Sequence, residues 1–152
     1  MTVSHYLHKM NYTKNIELRW SDLDPNFHLR HSAYYDFGAY CRISFLSEHG
    51  VTAKVMHEHS IGPVLFREEC FFKREIVFGD DVSVNLKLRS VSKDFRKFSI
   101  VHEIHKNENV LGALLIVDVA WMHTGLRKIT VPPEIIQRTV DVMEKTDDFV
   151  IT

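Results

Sequence analysis

The chain has 152 residues, which fits a single domain over residues 1–152 and is long enough to bury a core without disulfides or metals. Hydrophobic residues make up 45% and charged residues 26%, values that argue against a disordered chain. Lys and Arg total 19 against 20 Asp and Glu, a formal net charge of −1. This balance argues against a nucleic-acid-binding protein, because such proteins usually carry a basic excess.

The sequence predicts neither a membrane span nor an export signal. Its longest apolar stretch, Val110 to Val117, is far short of the ~20 residues that a spanning helix needs. The first fifteen residues lack the continuous apolar core of a signal peptide. Cys41 and Cys70 are the only cysteines and have no CxxC spacing, so we expect two buried thiols in a cytoplasmic protein, with a disulfide as the alternative.

The first predicted element is a half-buried strand over Tyr12 to Trp20, in which Ile16, Leu18 and Trp20 share one face. A turn-rich segment follows, from Ser21 to Asn26. The spacing of the apolar residues then changes to three and four. This spacing predicts one long, largely enclosed helix from Ser32 to about His49. Its apolar stripe consists of Tyr34, Phe37, Cys41 and Phe45 and is broadened by Ala33, Tyr40 and Ile43.

Gly50 follows the last helical turn, where a left-handed conformation is most easily adopted. A polar connector, Thr52 to Ser60, leads into a run of strands. The first of them is predicted over Val64 to Phe78 and ends at the turn that begins with Gly79.

Two further strands alternate cleanly between apolar and polar residues. Their apolar faces are formed by Val82, Val84, Leu86 and Leu88, and by Phe98, Ile100, His102 and Ile104. After a tight connection at 106–109, the strand from Val110 to Met122 is apolar on both faces, so we place it centrally in the sheet. Pro132-Pro133 then begins a short helix from Glu134 to about Lys145.

These elements predict an α+β fold in which a long antiparallel sheet wraps around one central helix. A single sheet of this kind leaves its outer edge and flanks uncovered. We therefore expect a homodimer.

The segment between the first strand and the long helix carries the candidate chemistry, and two interpretations of Asp24 are open. In the structural one, Asp24 caps a short turn, with Pro25 well placed at the next position. In the functional one, Asp24 is a carboxylate at the mouth of a pocket, facing the amide groups at the start of the helix. Those amides can polarise a carbonyl oxygen, which the ionised carboxylate could attack directly or through a water molecule. The two interpretations are compatible.

The pattern Trp-x-Asp-x-Asp-Pro-x-x-His over Trp20 to His28, followed by Tyr34 at the start of a helix, resembles the hotdog-fold acyl-CoA thioesterases. That group includes 4-hydroxybenzoyl-CoA thioesterase. The strand-turn segment Glu75 to Val82, with its Gly79-Asp80 pair, is similar to the family's signature as well. The order of one strand, one helix and four strands covers roughly Asn15 to Met122.

The resemblance implies hydrolysis of a coenzyme A thioester without a metal or a separate cofactor, coenzyme A being part of the substrate. It assigns the catalytic role to Asp24, the Asp that precedes Pro, and the polarising backbone N–H to a position near His31. It also implies subunits that pair into one continuous sheet with active sites at the interface, as a homodimer or homotetramer. The acyl group would enter a pocket beside the long helix.

The chain departs from the family in the loop after Asp24. Family members usually have Gly-His-Val-Asn-Asn, whereas this chain has Phe27-His28-Leu29-Arg30-His31. Phe27 narrows the space near the acyl group, and the two Asn side chains are lost. Arg30 could meet a phosphate or carboxylate, although a solvated surface position is favoured. His28 is a candidate to orient Asp24, with a purely structural role as the alternative.

Several histidines and acids are weaker candidates. The pairs His5/His8, His28/His31 and His102/His105, and the cluster 57–59, have spacings that suggest zinc, but alternation puts His102 and His105 on opposite faces of a strand, so we expect no metal site.

One of Glu68 and Glu69 should face the helix, paired with Arg67, Lys73 or a neighbouring strand. Asp118 could bond across a dimer or act as a second acid. Trp20 and Trp121 are expected in the core or at an interface.

The sequence contains no Gly-x-Ser-x-Gly, P-loop or dinucleotide-binding fingerprint, which excludes serine hydrolases, kinases and dehydrogenases of those types. We therefore predict a cytoplasmic acyl-CoA thioesterase that binds an acyl-CoA, with no nucleic acid or membrane partner. The alternative is a hotdog dimer that binds an acyl or aromatic ligand without hydrolysing it. A dehydratase-type hotdog protein is a weaker third possibility.

Overall fold

The computed structural model describes residues 12–152, in which eight strands form one sheet against three helices. The strands are β1 (Thr13–Ile16), β2 (Ile61–Phe72), β3 (Val82–Asn85), β4 (Lys87–Val91), β5 (Lys97–Lys106), β6 (Val110–His123), β7 (Lys128–Ile129) and β8 (Lys145–Ile151). The helices are α1 (Ala33–Glu48), α2 (Ala53–Glu58) and α3 (Glu134–Asp141). The fold is α+β, as predicted.

The sheet is ordered around β5 and β6. One edge of β5 pairs with β6, which in turn pairs with β2, so β6 is central as predicted. The other edge of β5 pairs with β3 and β4, which follow each other as one interrupted strand. Strand β1 lies beside β3 and β8 beside β4; of these pairings only β4–β8 is parallel. In the described residues, β2 is hydrogen-bonded along one edge only.

Helix α1 packs on the concave face of this sheet and forms the core with it. The predicted stripe residues of α1 are all buried, as are the predicted apolar faces of β3, β4 and β5. Gly50 has a φ of +84°, the left-handed end predicted from its position after the helix. The prediction that α1 is largely enclosed is wrong for the single chain, since Tyr40 and Ile43, which broaden the stripe, are about half exposed.

The predicted strand over Val64 to Phe78 is wrong at its second half. Strand β2 ends at Phe72 because the next two amides, of Lys73 and Arg74, both donate to the carbonyl of Gly112 at 2.8 and 3.0 Å. Residues 73–78 then leave the sheet, and the buried Ile76 accepts a hydrogen bond at its carbonyl from the amide of Leu29. This departure brings the segment against the loop that precedes α1.

Other boundaries differ for local reasons. The connector 52–60 contains α2, whose first turn is capped by the Thr52 hydroxyl accepting from the Val55 amide at 3.2 Å. Helix α3 ends at Asp141, and the last residues form β8, which the sequence did not predict. Strand β1 ends at Ile16, and Trp20, 79% exposed, lies in a single 3₁₀ turn instead of the core. Both cysteines are free thiols; Cys41 is buried as predicted, but Cys70 is only half-buried. No helix of residues 12–152 is long and apolar enough to cross a bilayer.

Candidate active site

The loop between β1 and α1 is anchored by a buried carboxylate. Asp22 is 1% exposed and accepts hydrogen bonds from the Arg19 backbone amide at 2.9 Å and from Arg19 Nη2 at 3.0 Å. Burial alone would raise the pKa of Asp22, but the hydrogen bonds from Arg19 outweigh burial and hold that pKa below its usual range. Asp22 therefore stays ionised and fixes the start of the loop.

Arg30 closes the other end of the same loop and is not the solvated residue that the sequence favoured. Its Nε donates to the carbonyl of Ser21 at 2.9 Å, and its Nη1 donates to the Ser32 hydroxyl. Its Nη2 lies 3.9 Å from Asp22 and 3.8 Å from Asp36. The guanidinium thus ties the 3₁₀ turn to the start of α1.

Between these anchors, Asp24 is held by backbone amides. Its Oδ1 accepts from the amide of Asn26 at 2.8 Å and from that of His28 at 3.1 Å. Its own amide donates to the His28 carbonyl at 2.8 Å. The carboxylate therefore caps the tight turn that follows it, as the structural interpretation proposed, and no described residue bonds to Oδ2. One oxygen fixes the group while the other is left for a ligand.

His28 contacts Asp24 through its backbone and not through its ring. The imidazole Nε2 lies 3.5 Å from the carboxylate of Glu75, on the segment that follows β2. An isolated bridge between His28 and Val77 fixes the two segments against each other. His28 thus positions Asp24 through main-chain geometry.

Asp24, His28 and His31 line one depression of about 380 Å³. Its other walls come from Tyr34 at the start of α1 and from residues 72–76 after β2. His31 comes immediately before Ser32, the N-cap residue of α1, and so lies next to the positive end of this helix. Asp24 and His31 therefore line the same depression.

The rim of this depression carries two cationic side chains, which sequence reasoning missed. Lys73 and Arg74 are exposed and line it beside the two histidines. They were predicted to lie inside a strand. Their exposure follows from the early end of β2.

Phe27 adopts a conformation that glycine favours. Its φ is +62°, in the left-handed region where a side chain normally costs about 1–2 kcal/mol. This explains why Gly suits the position in the family that the sequence resembles. In this chain the ring contacts Trp20 edge to face, with 5.8 Å between ring centroids.

We expect Phe27→Gly to be more stable than Phe27→Ala by about 1 kcal/mol, because both lose the Trp20 contact and only Gly relieves the left-handed strain. Urea unfolding of the two variants measures the difference. The same two substitutions at the exposed Phe78, which has no left-handed φ, provide the control. An Ala variant at least as stable as the Gly variant at position 27 would contradict the prediction.

The other sequence candidates lie away from this depression. Arg67 and Glu69 form an ion pair. The acid that faces the helix is Glu68, opposite the buried Val117, and it has no ion-pair partner within residues 12–152, so the expected pairing of the helix-facing acid is wrong. Asp118 accepts from the Ser99 hydroxyl at 2.8 Å, across β5 and β6 of one chain. Trp121 is fully buried, as predicted.

The histidine pairs do not form metal clusters in the described part of the chain. His102 is fully buried while His105 is half-buried, in agreement with their opposite faces on β5. No group of three or more His, Cys, Asp or Glu side chains within residues 12–152 is arranged to hold a metal ion. The pair His5 and His8 lies outside the described residues.

A second cavity, of about 170 Å³, lies between α1 and the sheet. Its lining is apolar except for Arg42, whose Nη1 lies 3.0 Å from Nε2 of His102. Sequence reasoning overlooked this pair. Its only signal was a histidine at an inward position of β5 between Ile100 and Ile104.

Comparison with known proteins places the chain in a family. Residues 18–140 match the model of the thioesterase-like superfamily. No curated protein sequence matches the chain significantly.

Solved structures with low sequence identity share the fold. A hypothetical protein of Staphylococcus aureus in complex with CoA has a TM-score of 0.80 at 17% identity, over 86% of this chain and 82% of that one. A 1,4-dihydroxy-2-naphthoyl-CoA thioesterase from Synechocystis has a TM-score of 0.76 at 17% identity, over 86% and 96%. A thioesterase of Thermus thermophilus complexed with coenzyme A and Zn has a TM-score of 0.73 at 20% identity, over 87% and 92%.

These likenesses confirm the predicted hotdog fold. The match of the family model over most of the chain confirms the predicted kinship with thioester hydrolases. The chain belongs to the thioesterase-like superfamily.

Proposed function

We propose that this protein hydrolyses the thioester bond of an acyl-CoA, with Asp24 as the nucleophile or general base. The observation that carries the proposal is the placement of Asp24. Its carboxylate is fixed by two amides on one oxygen, and it lines the same depression as the amide-rich start of α1. The CoA-bound relatives of the same fold support coenzyme A as the carrier.

The chemistry follows from this placement. The thioester carbonyl oxygen would accept a hydrogen bond from the His31 amide, which stabilises the charge that develops on it. In the nucleophilic route, Asp24 Oδ2 attacks the carbonyl carbon, the thiolate of CoA leaves, and water hydrolyses the acyl-aspartyl anhydride. In the general-base route, Asp24 takes a proton from water as that water attacks the same carbon. Both routes release a carboxylic acid and the free thiol.

Two cationic side chains of the rim offer a place for the charged end of the substrate. Lys73 and Arg74 line the same depression as Asp24 and provide cationic donors suited to phosphate. His28 keeps its proposed role of holding Asp24, through its amide.

We further propose that two chains pair along β2, as a homodimer or as half of a homotetramer. This strand is twelve residues long and carries exposed apolar side chains at positions 65, 66, 71 and 72. A long apolar edge strand favours pairing with another strand. Because Phe72 also lines the depression, the second subunit would lie close to the site.

We expect Phe66→Asp to shift the protein from dimer to monomer, because it places a charge on the apolar edge of β2. Sedimentation equilibrium measures the change. Phe78→Asp is the matched control, since Phe78 is equally exposed but lies outside β2. A monomeric wild type, or equal dissociation by both variants, would contradict the proposed interface.

A panel of acyl-CoA thioesters tests the function itself. Wild-type protein should release free thiol from at least one aliphatic or aromatic acyl-CoA. Tight binding of acyl-CoA without thiol release across the panel would instead indicate a non-catalytic binding protein.

A further inference from the structure

We propose that Arg42 recognises a carboxylate at the distal end of the acyl group, so that the preferred substrates are ω-carboxyacyl thioesters. The inference rests on the proposed thioesterase function and adds a substrate class to it. It starts from the cavity between α1 and the sheet. Apolar side chains of α1, β2, β5 and β6 line that cavity, and Arg42 is its one charged lining residue in the described part of the chain.

Arg42 has no anionic partner among residues 12–152. Its guanidinium lies within ion-pair distance of no described carboxylate, and Glu68 is the acid that most influences it. Arg42 is half-buried, and this burial lowers the pKa of its guanidinium. A partly desolvated cation without a close counterion is unfavourable, so a carboxylate entering the cavity would be stabilised there.

The guanidinium is held in one orientation by a relay. Arg42 Nη1 donates to Nε2 of His102 at 3.0 Å, and Nδ1 of His102 donates to the carbonyl of Asn85 at 2.7 Å. This bond uses one of the five N–H donors of the guanidinium. The others remain for a ligand, and a preoriented Arg matches the two oxygens of a carboxylate.

The position of the guanidinium suits the far end of an acyl chain. Arg42 folds back over Gly38, where an added Cβ would lie 3.2 Å from Nη1 and 3.1 Å from the His102 ring. Gly38 lies seven residues after His31, roughly 10 Å along a helix that rises 1.5 Å per residue. Helix α1 contributes Tyr34 to the depression and Arg42 to the cavity. A ligand whose thioester is at His31 would have to run along α1 to reach Arg42, which requires a medium-length acyl group. A mainly apolar pocket with one placed polar group is the usual arrangement for such specificity.

The test compares suberoyl-CoA with octanoyl-CoA, which share a chain length and differ in the distal carboxylate. Wild-type protein should show a kcat/KM for suberoyl-CoA that is higher by about tenfold or more, the effect expected of a charge-assisted hydrogen bond. Succinyl-CoA, whose carboxylate is too near the thioester to reach Arg42, should gain no such advantage.

In Arg42→Met the ratio of the two kcat/KM values should fall to about one or below, and in Arg42→Lys it should be intermediate, because the charge stays and the forked geometry is lost. Arg89→Met, which removes an exposed guanidinium on β4, should keep the wild-type ratio. The wild-type preference is measured without any variant, so a variant that fails to fold leaves the proposal testable.

Two results would overturn the inference while leaving the proposed hydrolase activity intact. The first is a wild-type protein that prefers octanoyl-CoA. The second is an Arg42→Met variant that loses kcat/KM equally on both substrates and whose dimer dissociates. The second result would mean that Arg42 pairs with an acidic side chain of a second copy.

If no thioester is hydrolysed, the shift in melting temperature on binding of each of the same two ligands tests whether Arg42 recognises the carboxylate. A larger, Arg42-dependent shift with suberoyl-CoA would support the recognition and overturn the hydrolase proposal. Equal shifts would overturn both.

Discussion

Asp24→Asn should lower kcat for thioester hydrolysis by about 10²–10⁴-fold with little change in thermal stability. The amide that replaces the carboxylate keeps an oxygen that can accept from Asn26 and His28, so the turn should stay folded. It can neither attack a carbonyl nor take a proton from water. The measurement is thiol release under saturating acyl-CoA, with the melting temperature recorded for each variant.

Asp36→Asn is the control for the loss of a negative charge near the site. Asp36 lies in the first turn of α1, exposed, and its nearest cation is Arg30 at 3.8 Å. Asp36→Asn should keep near-wild-type turnover.

Asp24→Ala should lose as much activity as Asp24→Asn and some stability as well, because both hydrogen bonds of the turn are gone. Full turnover in Asp24→Ala would show that the assignment is wrong.

The second large effect concerns stability at acidic pH. Burial, with the nearby charge of Arg42, lowers the pKa of His102 to about 3, against about 6.5 in the unfolded chain. Below pH 6.5 the unfolded state therefore binds a proton that the native state does not, and stability falls as the pH falls towards 3. Between pH 7 and pH 5 we expect this residue alone to remove about 2 kcal/mol from the free energy of unfolding.

His102→Gln should flatten this dependence, because glutamine does not titrate and its amide oxygen can still accept from Arg42. His105→Gln removes an imidazole from the other face of the same strand and should keep the wild-type slope. Urea unfolding at pH 7, 6 and 5 gives the three slopes. An unchanged slope in His102→Gln would mean that this imidazole is not the group that titrates.

Most of the sheet and the central helix could be predicted, because alternation and helical periodicity report directly which side chains are buried. The inward residues of β3 to β5 and the stripe of α1 are examples. The prediction failed where a boundary depends on distant residues. The end of β2 is set by the Gly112 carbonyl, and β8 forms because β4 offers an edge for parallel pairing. No local pattern encodes either partner.

Part of the site was predictable because residues Trp20 to His28 resemble the hotdog thioesterases. That resemblance implied a catalytic Asp24 and a backbone amide near His31, and these two residues line one depression. The loop's support was not foreseen. Arg30 bridges the two ends of the loop through bonds to Ser21 and Ser32, a role that depends on how the chain turns back. Arg42 and His102, sixty residues apart, meet only in the folded core.

A crystal structure of Asp24→Asn with an acyl-CoA bound would test the central claim most directly. We predict a thioester carbonyl oxygen at about 3 Å from the His31 amide, with the carbonyl carbon within about 3.5 Å of the side chain at position 24. An acyl-CoA bound elsewhere, or a thioester turned away from both groups, would contradict the account.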